Sequence, residues 1–227
     1  MSKEKINNLL KGSFVIIFYL IMQQLTTLPL DILNINYNTL NIKIKSIYLI
    51  VYETFITLSI LLIYKQELII DFKEFFKTKI KSFKKYIRYW LIILVLMVLS
   101  NFIVTLFTST NISNNQKSIL ELFKIVPIYT IYVTVITAPI LEELVFRLSF
   151  KKIINNKIIY ILLSGLVFGS LHVIGSFNTI IDLLFIIPYS IPGFIFGYIY
   201  VKEENIFVPI SIHFIHNGFM MLLQIIL

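Results

Sequence analysis

Seven apolar runs, each about as long as a bilayer is thick, leave this chain one kind of architecture. They extend from about Ser13 to Leu33, Ser46 to Tyr64, Tyr89 to Ser109, Ile125 to Ile154, Ile158 to Ile174, Thr179 to Tyr200 and Ile206 to Leu227. At a rise of about 1.5 Å per residue, roughly twenty residues of helix cross a hydrocarbon core. No water is present there to satisfy the backbone, so such segments must be helices packed against one another. Of the 227 residues, 58% are hydrophobic and 14% charged, against about 25% charged in soluble domains. The predicted class is all-α: a polytopic transmembrane helical bundle of about seven spans, forming one membrane domain.

The formal net charge of +8 invites a nucleic-acid reading, but the placement of the charge argues for membrane orientation instead. Lys65 to Arg88 holds eight Lys and Arg, with Phe72, Phe75, Phe76, Ile80 and Phe83 interleaved at roughly helical spacing. Between two spans this predicts a basic amphipathic interfacial helix on an anionic membrane surface, with the lipid bilayer as partner and no nucleic acid. The basic start (Lys3, Lys5, Lys11), the 65–88 segment, Lys151 to Lys157 and the turn at 202–205 all fall on one side. The positive-inside rule makes that side, and the N-terminus, cytoplasmic. Gln23, Gln24, Thr26 and Thr27 follow the first run where a signal peptide would carry a small-residue cleavage site, so that run reads as a retained span. Asn34 to Lys45 and Thr110 to Lys124 are polar and predicted as loops. The absence of cysteine excludes disulfides and thiolate metal sites.

Against this apolar background the charged residues inside the spans stand out. Ala138 to Phe150 reads APILEELVFRLSF and carries Glu142, Glu143 and Arg147. A charge at membrane depth costs roughly 2.5–3.5 kcal/mol on insertion scales and is retained mainly for function. Glu143 and Arg147, four apart, meet on one helix face and pair; Glu142 is turned away by about 100° and has no such partner. The fifth span contributes Phe168-x-x-x-His172 and the seventh His213-x-x-x-Asn217. Counted at 1.5 Å per residue, these groups lie roughly 10–21 Å from the inner ends of their helices, compatible with one buried layer. His216 faces away from the His213–Asn217 pair and receives no role.

Two chemistries need such a set. A carboxylate in reach of a water, assisted by an imidazole, acts as general base in amide hydrolysis, while a second imidazole and a carboxamide meet the developing oxyanion. Alternatively Glu142, His172 and His213 make a zinc first shell with an open position for water. Both hydrolyse an amide, and the residues do not choose between them. A proton relay in a small transporter would show inverted repeats, and none is evident. A membrane partner that keeps the motifs as packing stays open.

Taken in order, Glu142-Glu143-x-x-x-Arg147, Phe168-x-x-x-His172 and His213-x-x-x-Asn217 resemble the three motifs of the CPBP intramembrane proteases. That family includes the type II CAAX prenyl endopeptidases and bacteriocin-processing or bacteriocin-immunity proteins. The resemblance covers about Ile125 to Leu227 and extends to Pro192, Gly193, Gly197 and Pro209. It departs at Leu148, where the family commonly has glycine. It implies a catalytic helical core at 125–227, with residues 1–124 supplying the first spans and the basic segment. It further implies that Glu142 activates water with His172 assisting, that His213 and Asn217 form the oxyanion hole, and that Glu143 and Arg147 support them. Zinc is dispensable in the glutamate version. The implied substrate is a membrane-associated peptide or protein, such as a peptide pheromone or bacteriocin leader. The implied alternative is a non-catalytic immunity or scaffold protein of the same family. The residue bias and small size fit a multi-pass protein of a bacterial cell membrane.

Overall fold

Several helices of this protein start where a polar side chain can take up the orphaned backbone donors of a first turn. In the computed structural model, which describes residues 2–108, 110 and 112–226, Ser2 caps the first helix through the Lys5 amide. That helix, α1, runs Lys3–Gln24. It starts ten residues before the expected span because the basic N-terminal segment simply forms its first turns, and it stops before Pro29, which opens a short helix at Leu28–Ile32. Asn41 caps α2, Ile42–Ile63. The basic segment then folds as α3, Lys65–Lys77, and a single 3-10 turn leads into α4, Phe83–Thr105. The expected interfacial helix therefore covers only the first half of 65–88. Its second half belongs to the third span, where the side chains of residues 81–84 lie outside the described set, as do Ser109, Asn111 and Leu227.

One predicted loop is a helix. Ser113 accepts from the Gln116 amide and starts α5, Asn114–Ile125. Its apolar residues Ile119, Leu120, Leu122 and Phe123 recur at helical spacing, and the many Asn and Ser residues around 110–118 hide that period in the sequence. The remaining helices are α6, Pro127–Ile153, α7, Lys157–Ile174, α8, Ile186–Glu203, and α9, Phe207–Ile226. A 3-10 segment, Ile180–Phe185, precedes α8 and begins with a Thr179–Asp182 capping box. Among the described residues there is no strand, and seven helices are long and apolar enough to cross a bilayer. Large apolar side chains such as Leu62, Val98 and Phe102 face outward, while Glu143, Arg147 and His213 are buried. That inversion of the soluble pattern is what a lipid solvent selects.

Two helix contacts position the site. α7 and α8 touch backbone to backbone: a Cβ added at Gly193 would stand 2.8 Å from Gly165 Cα, and one at Gly169 2.7 Å from the Ser190 amide nitrogen. Small residues allow this approach where the hydrophobic effect cannot drive helices together. α6 is wound wide at Tyr132–Thr137 and again at Leu144–Ser149, both π-helical. Pro139 explains the first, since it lacks an amide hydrogen and crowds the turn before it. In the second, hydroxyls meet loosened carbonyls: Ser149 Oγ donates to Leu144 O at 2.9 Å and Tyr160 Oη to Arg147 O at 3.3 Å. Leu148, in place of a small residue, is buried in the cluster around Val15, Ile60 and Leu144.

At the basic end, Glu67 of α3 accepts from Lys11 at 2.8 Å and pairs with Lys152 at 3.0 Å. Asp71 Oδ2 accepts from the Ile206 amide at 2.9 Å, so α3 caps α9 from outside. Burial opposes ionisation of Glu67, yet the two lysines outweigh it and hold its carboxyl below the ordinary range. A depressed carboxylate stabilises the fold above its ordinary pKa, and that contribution is lost as pH falls through the folded value. Glu67→Gln is therefore expected to cost about 1 kcal/mol at pH 7 and to flatten the loss of thermal stability below about pH 4. Gly193→Ala is expected to lower stability by about 1–3 kcal/mol through overpacking; unfolding followed in detergent checks both.

Candidate active site

Glu142 and Glu143 close the short α-helical stretch Ala138–Glu143 between the two wide turns of α6. Neighbours on a helix diverge by about 100°, so the two acids serve different surroundings. Glu143 is fully buried, with Oε2 3.1 Å from Arg147 Nε. Its other oxygen lies 2.9 Å from His213 Nδ1. Arg147, also fully buried, is an ion-pair partner more than an aligned donor: Nη1 and Nη2 meet no acceptor among the described residues. Its charge rests instead on aromatic faces, Cζ lying 4.9 Å from the Phe168 ring centre and 5.8 Å from that of Phe196.

His213 stands between the two glutamates. Nδ1 faces Glu143, Nε2 lies 3.6 Å from Glu142 Oε2, and the ring stacks on Phe196 at 4.8 Å. The expected Glu143–Arg147 pair is present, but the spacing hid the larger role of Glu143, which holds an imidazole from a helix seventy residues away.

His172 Nδ1 lies 2.8 Å from Phe168 O. A carbonyl only accepts, so Nδ1 carries the hydrogen and Nε2 keeps its lone pair in the neutral ring. The ring stacks on Tyr189, whose hydroxyl is held by Ser113 and Asn115. Asn217 Nδ2 donates to Thr134 O at 2.8 Å. In the π stretch the Ala138 amide bonds Val133 O. The donor for Thr134 O would come from residue 139, a proline with none. The carboxamide fills that gap, and Asn217 also lines the cavity.

Glu142, His172, His213 and Asn217 come from α6, α7 and α9 and line one cavity of about 150 Å³, with room for several waters. His216, which the sequence turns away from this face, lines the same cavity, is 5% exposed, and has no partner for Nδ1. The correction is geometric: residues three apart on a helix differ by only about 60°, so 213, 216 and 217 share one face. A period count on α9 was the signal available. Met97, Asn115, Gln116 and Ile119, from the half without motifs, complete the wall. Among the described residues no three His, Asp or Glu side chains are grouped to hold a metal ion. The suggested zinc set Glu142, His172 and His213 does not fit that requirement, and no step below runs through a metal.

Fold and cavity together define a helical membrane protein in which Glu142, three histidines and Asn217 line one cavity between the helices. Residues 124–219 match the family Type II CAAX prenyl endopeptidase Rce1-like. The chain is 31% identical over 163 residues to the Membrane-embedded CAAX protease MroQ of Staphylococcus aureus (strain USA300), covering 65% of this chain and 62% of that one. It is 32% identical over 116 residues to YdiL of Bacillus subtilis (strain 168), covering 50% and 44%. With UPF0177 protein YvdC of Lactococcus lactis subsp. lactis (strain IL1403) it shares 26% over 138 residues, covering 60% and 51%. It thus spans between 44% and 62% of the length of these relatives. No solved structure matches it.

Removing one member of a buried ion pair strands the other, at a cost of about 3–5 kcal/mol, whereas replacing both is far milder. Arg147→Leu is expected to destabilise the protein by that amount, and Glu143→Leu with Arg147→Leu together to recover most of it. A double-mutant cycle by thermal unfolding in detergent reads this coupling.

Proposed function

We propose that this chain is an intramembrane endopeptidase that hydrolyses a peptide bond of a membrane-associated peptide or protein. The observation that carries this reading is the convergence of Glu142, His172, His213 and Asn217, from three helices, on one small cavity whose walls are otherwise largely apolar. Glu142 acts as general base and takes a proton from a water, with His172 Nε2 accepting a hydrogen bond from the same water. The water oxygen attacks the carbonyl carbon. The resulting oxyanion is met by the second N–H of Asn217 and by His213 Nε2–H. While Nδ1–H donates to Glu143, that second donation requires the doubly protonated ring. Glu142 then passes its proton to the departing nitrogen, the C–N bond breaks, and a carboxylic acid and an amine are released, the acid then giving its proton to the amine or to water. Glu143 and Arg147 keep His213 in place.

In this proposal residues 125–227 form the catalytic core and 1–124 the supporting spans and basic interfacial segment. The Lys- and Arg-rich end, with the N-terminus, faces the cytoplasm. The match of residues 124–219 to the Rce1-like family supports a membrane protease. The substrates proposed are bacterial peptide precursors: a pheromone or a bacteriocin leader whose maturation requires a cut at membrane depth.

The test compares the membrane and secreted peptidomes of cells carrying the wild type, Glu142→Gln or Asn217→Ala at equal abundance. A zinc chelator is added to one set. Peptides released by the wild type are expected to vanish with Glu142→Gln and to fall about 10²–10³-fold with Asn217→Ala, and to persist under chelation. Identical peptidomes for wild type and Glu142→Gln would overturn the enzyme reading in favour of a non-catalytic immunity or scaffold role.

A further inference from the structure

The catalytic cavity does not end at the four motif residues. Along α9 it meets a second, larger space of about 680 Å³, and the two share His216, Gln224, Met97 and Tyr189 in their walls. The larger space is an apolar groove between α4, α5 and α9, walled by Leu94, Val98, Phe102, Leu120, Phe185 and Leu223. Two residues of its wall each carry a buried polar atom with no hydrogen-bond partner among the described residues: His216, 5% exposed, at Nδ1, and Gln224 at Oε1. Buried polar atoms are normally paired, and each exception calls for a reason. Here both residues stand on one helix and line the same space, beside the candidate site, where a change of rotamer turns either polar atom toward it.

We infer that this groove is the subsite for the chain of the substrate on one side of the cleaved bond, with His216 and Gln224 as its backbone contacts. The inference rests on the endopeptidase reading. A peptide must leave helical form to be cut, and its freed amide groups then need partners that lipid cannot supply. His216 and Gln224 supply them, while the apolar wall takes the side chains. From His213 to Gln224 is eleven residues of helix, about 16 Å. An extended chain advances about 3.3 Å per residue, so the groove holds about five residues. The occupant is thus an extended, apolar peptide segment that enters from the bilayer. Specificity along it comes from hydrophobicity and from register, since backbone contacts read no side chain.

The test uses the full-length protein in liposomes with synthetic apolar segments of about twenty residues. Each segment is degenerate at five positions on either side of a central bond, and cleavage is read by mass spectrometry. Apolar residues are expected to be enriched over about five positions on one side only. His216→Leu and Gln224→Leu are expected to raise KM about tenfold each, the factor for one lost hydrogen bond. Gln224→Leu guards against a folding artefact, because Gln224 is only half-buried. On segments cut back to the single residue at the cleaved bond on that side, neither contact is reached, so the wild type loses both factors, about a hundredfold, and the three proteins converge. Equal KM for wild type and both variants on full segments, with cleavage still abolished by Glu142→Gln, overturns the subsite and leaves the protease reading intact. Cleavage that survives Glu142→Gln removes both.

Discussion

The fully buried charge of Arg147 is the constraint around which the core of this protein is arranged. A guanidinium in a bilayer-spanning bundle needs a counter-charge and a polarizable wall, and it has both, in Glu143 and in the faces of Phe168 and Phe196. Phe168 comes from α7 and Phe196 from α8, so one side chain of α6 ties three helices. Glu143 extends the tie to α9 through His213. The same contacts that neutralise a costly charge therefore fix the orientation of an imidazole beside Glu142. Support and chemistry share atoms here, which is why they cannot be separated by a single substitution.

Local backbone irregularity does comparable work. Pro139 leaves the Thr134 carbonyl without its backbone donor, and Asn217 occupies that vacancy. A residue that reads in the sequence as a hydrogen-bond donor to substrate is thereby also a clamp between α6 and α9. π turns are enriched at functional positions because they release backbone groups and reorient side chains without ending the helix. In α6 one such turn lies on each side of the glutamates.

Much of this was legible from residues alone. Seven spans follow from run length and apolar content, since the bilayer imposes both. The four motif side chains could be listed together because ionisable groups at membrane depth are few. What stayed hidden was set by tertiary contact. The bond from Glu143 to His213 links residues far apart in sequence, and an i, i+4 arginine offered a sufficient local explanation for Glu143. Helix α5 was masked by Asn and Ser residues that suit loops and caps equally well. The π turns depend on how Pro139, Ser149 and Tyr160 satisfy carbonyls in three dimensions. His216 was misplaced by treating a 60° offset as a different face.

Helix α5 and the end of α4 carry a consequence of another kind. Met97, Asn115, Gln116 and Ile119 close one side of the candidate site's cavity, yet all four lie before residue 124, where the match to the family begins. The motif helices are in effect an engine without its inlet. Chains could keep the same glutamates, histidines and asparagine while admitting different molecules, because the doorway stands on helices that carry none of them.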